Sequence, residues 1–154
     1  MPRKIEPTGN SLLGVLSDYL RATVVEPAET VFFELRDVVY QKNRPIRNIV
    51  FPVSGVISWV QDVEDDKSVE VATVGNEGFV GVPVLLGADR AQGTSFAQIA
   101  GEALRLRVND FRNLLARYPR LGAILNRYVQ ALIIQIAQGN ACNSSHSIEQ
   151  RCAR

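Results

Sequence analysis

The part of the sequence best suited to chemistry is a glycine-rich loop at residues 74–95, VGNEGFVGVPVLLGADRAQGTS. It contains five glycines, one arginine and two adjacent hydroxyl residues, Thr94 and Ser95. Glycines let backbone N–H groups approach a ligand closely, an arginine pairs with an anion, and hydroxyls donate hydrogen bonds. This combination predicts a loop that can wrap around a small anion such as a phosphate.

Few other residues are suited to metal or nucleophilic chemistry. The 154 residues include one histidine, His146, and two cysteines, Cys142 and Cys152. A metal site of the cupin type needs several histidines, an iron–sulfur cluster needs four thiolates, and haem needs axial ligands. We therefore predict no enzyme activity, no metal and no cofactor. His146 is best interpreted as a cap or surface residue and Cys142 as a small residue in a helix interface, although Cys142 could also respond to oxidants.

Composition indicates one ordinary domain without a membrane span. Basic and acidic residues number 17 and 16, so the net charge is +1, and 46% of the residues are hydrophobic. A balanced charge argues against a chain whose main role is to neutralise nucleic-acid phosphates. No apolar run reaches the ~20 residues of a transmembrane helix, and the polar N-terminus lacks a signal sequence. We expect a cytoplasmic protein with no membrane partner.

The elements that position the loop follow from hydrophobic periodicity. Over residues 30–108 the period is two, in seven strand-length runs separated by turn signals. Many short antiparallel strands at this spacing predict a sandwich, barrel or jelly roll. Before them, residues 9–22 carry leucines at helical spacing and predict one short amphipathic helix.

Residues 109–146 are predicted to be helical. A first helix begins at an N-cap, Asn109 or Asp110, and ends near Pro119. The helix that follows is longer than one small domain needs, which a homodimer packed through this helix would explain. The alternative is a helix packed only on its own sheet. The predicted interface comprises Leu121, Ile124, Leu125, Tyr128, Leu132 and Ile136.

Four motifs, in this order, resemble the Crp/Fnr family of bacterial transcription regulators: RPIRNIVFPVSGVISWV, VEVATVGNEGFVGVPVLLG, RYVQALIIQIAQGNACN and HSIEQRCAR. The resemblance implies a mainly β fold, a jelly roll of the cyclic-nucleotide-binding type, with C-terminal helices including a long dimerisation helix. Residues 1–108 would form the sensor domain, residues 109–146 the helical segment, and residues 147–154 the start of a junction helix. The family continues with a winged helix that reads DNA, so we expect DNA binding only through that absent domain, in a trimmed or naturally truncated chain.

The resemblance also allows the loop to be compared with the family's ligand-binding residues, position by position. In relatives that bind cyclic AMP, a glutamate accepts from the ribose hydroxyl and an arginine pairs with the phosphate. Here the glutamate position falls on Val82 and the arginine position on Gln92, while the two base-reading positions fall on Ile136 and Ala137. Each lost charged partner forfeits about 1.5–3 kcal/mol. Cyclic-AMP binding of the usual kind is therefore not expected, although Arg90 could replace the arginine after a small shift of the loop.

We therefore predict the effector-sensing and dimerisation domain of a Crp/Fnr-type regulator, with an unidentified small-molecule effector. The donors that remain leave room for a small anionic ligand. Two alternatives stay open: a ligand-free dimerisation or protein-interaction scaffold, and a segment at residues 82–86 that is only a packed apolar edge. The predicted pocket comprises Gly78, Phe79, Val80, Gly81, Val82, Pro83, Val84, Arg90, Gln92, Gly93, Thr94, Ser95, Tyr128, Leu132, Gln135 and Ile136.

Two early turns depart from the family pattern, which often has glycine there. The residues are Arg36 and Asn43. Asparagine tolerates a left-handed backbone, whereas arginine adopts it less readily. We therefore predict a different type for the first turn.

Overall fold

The computed structural model describes residues 9–64 and 67–145. Two short helices, α1 (Ser11–Gly14) and α2 (Asp18–Val25), precede the strands. The strands are β1 (Glu29–Phe33), β2 (Val38–Tyr40), β3 (Asn48–Pro52), β4 (Val56–Val63), β5 (Lys67–Val74), β6 (Thr94–Ile99) and β7 (Gly101–Arg107). One helical turn, α3 (Val82–Leu85), lies between β5 and β6, and α4 (Val108–Arg117) and α5 (Pro119–Ser145) follow β7.

The strands form two antiparallel sheets that enclose the core. One sheet has the order β1-β7-β3 and the other the order β2-β6-β4-β5. In the first, Glu29 lies opposite Arg105 and Ile49 lies opposite Leu106. Each of the seven predicted runs overlaps one of these strands. The predicted fold class, a jelly roll with C-terminal helices, is confirmed.

Aromatic side chains fill the centre of the core. Phe51, Phe79 and Phe111 come from β3, the glycine-rich loop and α4, and all three are fully buried. The Phe79 ring stacks on Phe51, with 5.7 Å between centroids, and lies 6.3 Å from Phe111. Burying a side chain of this size stabilises the fold by about 1.5–3 kcal/mol. Phe79 therefore anchors the glycine-rich loop between the sheet and the helices.

The N-terminal region forms two helices instead of the one predicted. Helix α1 ends at Gly14, and the Ser17 hydroxyl then caps α2 by accepting from the Leu20 N–H at 3.4 Å. A serine cap satisfies one of the N–H groups that a helix start leaves unpaired. The apolar period continues across the break, because Leu12, Leu13, Leu16 and Leu20 are all buried. Helix α4 likewise begins earlier than predicted, at Val108, directly after β7.

The prediction for the first early turn is wrong. Arg36 has φ +73° and Asn43 has φ +63°, so both residues are left-handed. The Arg36 N–H donates to the Ala97 carbonyl at 2.7 Å, and the Ala97 N–H donates to the Asp37 carbonyl at 2.9 Å. These two bonds to β6 offset a conformational cost of about 1–2 kcal/mol for a residue with a side chain.

Helix α5 is packed in its first half and exposed in its second. Leu121, Leu125, Val129 and Leu132 form a buried stripe along the first half. Beyond Ile136, only Cys142 is half-buried, and the other residues up to Ser145 are exposed. The helix therefore continues past the β-roll. No helix in the described part of the chain is both long and apolar enough to cross a membrane.

Candidate functional site

A cavity of about 420 Å³ lies between the four-stranded sheet, the glycine-rich loop and α5. Sites for small molecules usually measure about 300–1,000 Å³. The sheet contributes Tyr40, Trp59, Ala72, Val74 and Ser95. The loop contributes residues 79–83 with Leu86, Ala88, Ala91, Gln92 and Gly93, and α5 contributes Val129, Leu132, Ile133 and Ile136.

The loop wall of the cavity is held to the sheets by hydrogen bonds. Val80 exchanges backbone hydrogen bonds with Val50, at 2.8 and 3.0 Å. The buried Tyr40 hydroxyl donates toward the carbonyls of Val80 and Asn48, which lie 2.9 and 2.5 Å away. Burial raises the pKa of Tyr40 far above its ordinary value, so the hydroxyl stays protonated. Gly81 completes the wall with φ +145°, a conformation open mainly to glycine.

Helix α5 touches the loop directly beside the cavity. The Tyr128 ring packs on Phe79, with 5.4 Å between centroids. Its hydroxyl end lies over Gly78, where a Cβ atom would overlap it. Burial, with a smaller contribution from the Glu77 carboxylate, raises the pKa of Tyr128 well above its ordinary value. A glycine is therefore required at position 78 for the close approach of the helix.

The structure brings ten of the sixteen predicted pocket residues to the cavity: Phe79, Val80, Gly81, Val82, Pro83, Gln92, Gly93, Ser95, Leu132 and Ile136. Six do not line it: Gly78, Val84, Arg90, Thr94, Tyr128 and Gln135. Val84 is buried in the core and Gln135 is exposed. Arg90 is exposed, and its guanidinium donates to the Asn43 carbonyl at 2.8 Å. The cavity therefore forms without the arginine expected to serve it.

Sequence reasoning missed the lining residues from distant elements, above all Trp59 on β4 and Tyr40 on β2. On α5, by contrast, the spacing of the apolar residues could have identified the lining side chains. Val129, Leu132, Ile133 and Ile136 recur at spacings of three and four, which place side chains on one face of a helix.

The cavity carries no charge of its own, because none of its lining side chains is ionisable at neutral pH. Three backbone positions around the loop also offer no free donor. The Val84 N–H donates to the Gly81 carbonyl at 3.0 Å, the Val80 N–H is bonded to Val50, and Pro83 has no N–H. The arrangement favours apolar contact over neutralisation of an anion.

The predicted dimer interface needs a correction. Leu121 and Leu125 are fully buried in the chain's own core, so a partner cannot reach them. Ile124 and Tyr128 pack against that core, and Leu132 and Ile136 line the cavity. The apolar period identified the stripe on α5 that faces the β-roll. The large apolar residues exposed on α5 are Ile133 and Ile134.

A second cleft, of about 230 Å³, lies around β2 and the β2–β3 connection. Arg44, Arg47 and Arg105 are among its lining residues, and Arg105 pairs with Glu29 at 2.8 Å. Within residues 9–64 and 67–145, no cluster of three or more histidine, cysteine, aspartate or glutamate side chains could hold a metal ion. His146 and Cys152 lie outside the described residues.

Comparisons with known proteins agree with this geometry. The sequence model of the family described as "Cyclic nucleotide-binding domain" matches residues 30–118. Among solved structures, the c-di-GMP responsive global regulator CLP of Xanthomonas campestris is similar, with a TM-score of 0.75 and 13% identity over 90% of this chain and 70% of that one. No curated protein sequence matches.

Two further structures have the same fold. The N-terminal domain of a transcriptional regulator from Streptomyces coelicolor has a TM-score of 0.62 and 20% identity, over 91% of this chain and 98% of that one. The catabolite activator protein of Thermus thermophilus has a TM-score of 0.69 and 14% identity, over 86% and 62%. The family model confirms a cyclic nucleotide-binding domain, and the solved structures show that transcription regulators share this fold.

Proposed function

Because the chain belongs to the cyclic nucleotide-binding domain family, we propose that it is the effector-sensing and dimerisation domain of a Crp/Fnr-type transcription regulator in the cytoplasm. The observation that carries this proposal is the cavity, whose walls come from both the β-roll and α5. A ligand there contacts both parts. It shifts α5 to the extent that it binds one arrangement of roll and helix better than the other.

The effector is not cyclic AMP bound in the usual way. Val82 and Gln92 stand where the family places its glutamate and arginine, and Ile136 forms an apolar wall where a base would be read. Arg90 is tied to the Asn43 carbonyl. The Xanthomonas regulator of the same fold is described as responsive to c-di-GMP, which illustrates that a fold does not determine a ligand.

A second copy of the chain is the partner we propose for α5. Ile134, Ala137 and Ala141 are exposed and follow one another at spacings of three and four, on one face of the helix. Small residues beside an isoleucine let two helices approach closely and bury the stripe. Ile134, Ala137 and Ala141 therefore replace Leu121 and Leu125 as the centre of the proposed interface.

Calorimetric titration of the purified chain with cyclic AMP, cyclic GMP and cyclic di-GMP tests the ligand part of this proposal. We expect no binding heat with cyclic AMP or cyclic GMP from a folded dimer. Micromolar binding of cyclic AMP that disappears in Arg90→Ala would show that the loop rearranges around a phosphate. That result would overturn our exclusion of cyclic AMP and keep the sensing function.

The second candidate function is a scaffold that dimerises without a ligand. The packing of Phe79 favours it: this ring contacts Phe51, Phe111 and Tyr128, so the loop is held against α5 without a ligand. A cavity that binds no small molecule of any class, in a chain that still dimerises, would establish the scaffold.

A further inference from the structure

We infer that the effector of this domain is an uncharged, mainly apolar small molecule with one small hydrogen-bonding group. This inference rests on the proposed sensing function and names the chemical class of its ligand. The cavity of about 420 Å³ suits a single compact molecule.

The walls exclude a charged ligand on energetic grounds. None of the lining side chains carries a charge, and the nearest arginine of the loop, Arg90, points to the Asn43 carbonyl instead. An ionised group transferred from water into such a cavity loses its hydration without gaining a counter-charge, which is strongly unfavourable. An apolar body instead gains free energy in proportion to the area it buries.

The polar atoms of the cavity fit one small polar group. Gln92 and Ser95 contribute the amide and hydroxyl groups, and Ser95 is buried. The Tyr40 hydroxyl uses its proton on backbone carbonyls and therefore does not donate to a ligand. A ligand hydroxyl or carbonyl can pair with Gln92 or Ser95 while the rest of the molecule contacts Trp59 and the aliphatic residues of α5.

The mouth of the cavity carries apolar side chains that face water. Leu86, after α3, is 64% exposed, and Ile133, on α5, is 59% exposed. Both line the cavity, one on the loop side and one on the helix side. An apolar ligand that enters gains free energy by covering both side chains. A charged ligand gains nothing from this contact. The mouth therefore selects for the same class of molecule as the walls.

Trp59 makes the test direct, because it is the only tryptophan in the chain and lines the cavity. The probe is N-phenyl-1-naphthylamine, a neutral apolar fluorophore that accepts energy from tryptophan. We expect it to quench Trp59 emission saturably, and we expect neither inorganic phosphate nor cyclic AMP to displace it.

Two matched variants locate the probe. Leu86→Glu places a carboxylate at the mouth and should weaken probe binding at least tenfold, about 1.4 kcal/mol. Leu35→Glu is the control, since Leu35 is also 64% exposed and lines no part of the cavity. It should bind like the wild type. Both positions are exposed, so neither substitution disturbs the core.

Each other outcome overturns a specific statement. Displacement of the probe by cyclic AMP or phosphate, or their binding in its place, overturns the apolar ligand class and leaves the sensing function standing. Equal weakening in both variants, or in neither, places the probe elsewhere and overturns the inference. No binding of the probe or of any nucleotide overturns the inference and the sensing function together, in favour of the scaffold.

Discussion

Asn10 shows how much of the fold depends on one polar side chain. Its buried amide donates to the carbonyls of Pro52 and Gly78, at 2.7 and 2.9 Å, and its oxygen accepts from the Leu13 N–H at 2.9 Å. It thus caps α1 and ties that helix to β3 and to the glycine-rich loop. A single short side chain satisfies three backbone groups that come from distant parts of the sequence.

Replacing Asn10 should therefore be costly. We expect Asn10→Ala to lower the free energy of unfolding by about 1–3 kcal/mol, because two buried carbonyls lose their donor. Urea denaturation measures the change. Asn76→Ala is the control, since the exposed Asn76 amide also donates to a carbonyl, that of Gly9 at 3.3 Å; its cost should stay within about 0.5 kcal/mol. Equal losses in the two variants would contradict the role of burial.

Gly78 provides a second test at the same scale. We expect Gly78→Ala to destabilise the fold by about 1–3 kcal/mol, because the new methyl group overlaps Tyr128. Urea denaturation again measures this loss. Gly139→Ala, on the exposed half of α5 with nothing within 4 Å of a Cβ, should instead stabilise the helix by about 0.5–1 kcal/mol.

A Tyr128 variant tests the cause of the stability loss expected for Gly78→Ala. In a Tyr128→Ala background, Gly78→Ala should cost much less, because the overlapping ring is gone. A loss that remains unchanged in this background would mean that the backbone of the loop, and not the contact with α5, requires the glycine.

At the scale of elements, a charged pair links β1 to β7. Glu29 and Arg105 lie opposite each other, and the guanidinium donates to the carboxylate at 2.8 Å. This hydrogen bond, followed by the charge of Arg105, lowers the pKa of Glu29 below its ordinary value of 4.5. Because the folded state binds this proton less tightly than the unfolded chain, the contribution is present above pH 4.5 and is lost as the pH falls through the lowered pKa.

The pH dependence of one variant checks the direction in which this pair changes the stability. Glu29→Gln should be slightly less stable than the wild type at neutral pH, and the difference should shrink as the pH falls below 4.5. Urea denaturation across this range, at low ionic strength, measures the effect, which added salt should also reduce. A difference that persists in acid would assign the effect to packing and not to charge.

The elements also show what the sequence could predict. Strand-length runs of β-branched and aromatic residues between turn signals predicted all seven strands, including β3, whose residues 49–52 are all buried. The break between α1 and α2 was missed, since the leucine period continues through it and only the Ser17 cap marks it. Most of the loop wall of the cavity was predicted because its residues lie in one segment, although Leu86, Ala88 and Ala91 were missed. Trp59 and Tyr40 were missed because only the folding of two sheets brings them to the loop.

At the scale of the whole molecule, the apolar residues on α5 divide into two sets that sequence periodicity cannot separate. One set faces the core and the cavity, and the other, centred on Ile134, faces solvent. Helical spacing fits both, so the choice between them requires the position of the β-roll.

The proposed dimer is tested on the solvent-facing set. Ile134→Glu should weaken dimerisation at least tenfold, about 1.4 kcal/mol, since it places two carboxylates face to face in the seam. Sedimentation velocity over a concentration series measures the change. Val69→Glu, on β5, is the control because Val69 is exposed to a similar extent, 53% against 51% for Ile134. A dimer that survives Ile134→Glu would contradict the proposed seam.

The order of the three-stranded sheet also determines when the chain can fold. Strand β7 is the central strand, and it pairs residues as far apart as Glu29 and Arg105, 76 positions along the chain. During synthesis at about 5–20 residues per second, β1 therefore waits roughly 4–15 s for its partner. The β4–β5 hairpin can close during that interval, but Phe33 and Phe51 cannot yet be buried against β7. The nascent chain thus passes through a period in which two aromatic strands are open to aggregation, and the ribosome's progress to β7 ends it.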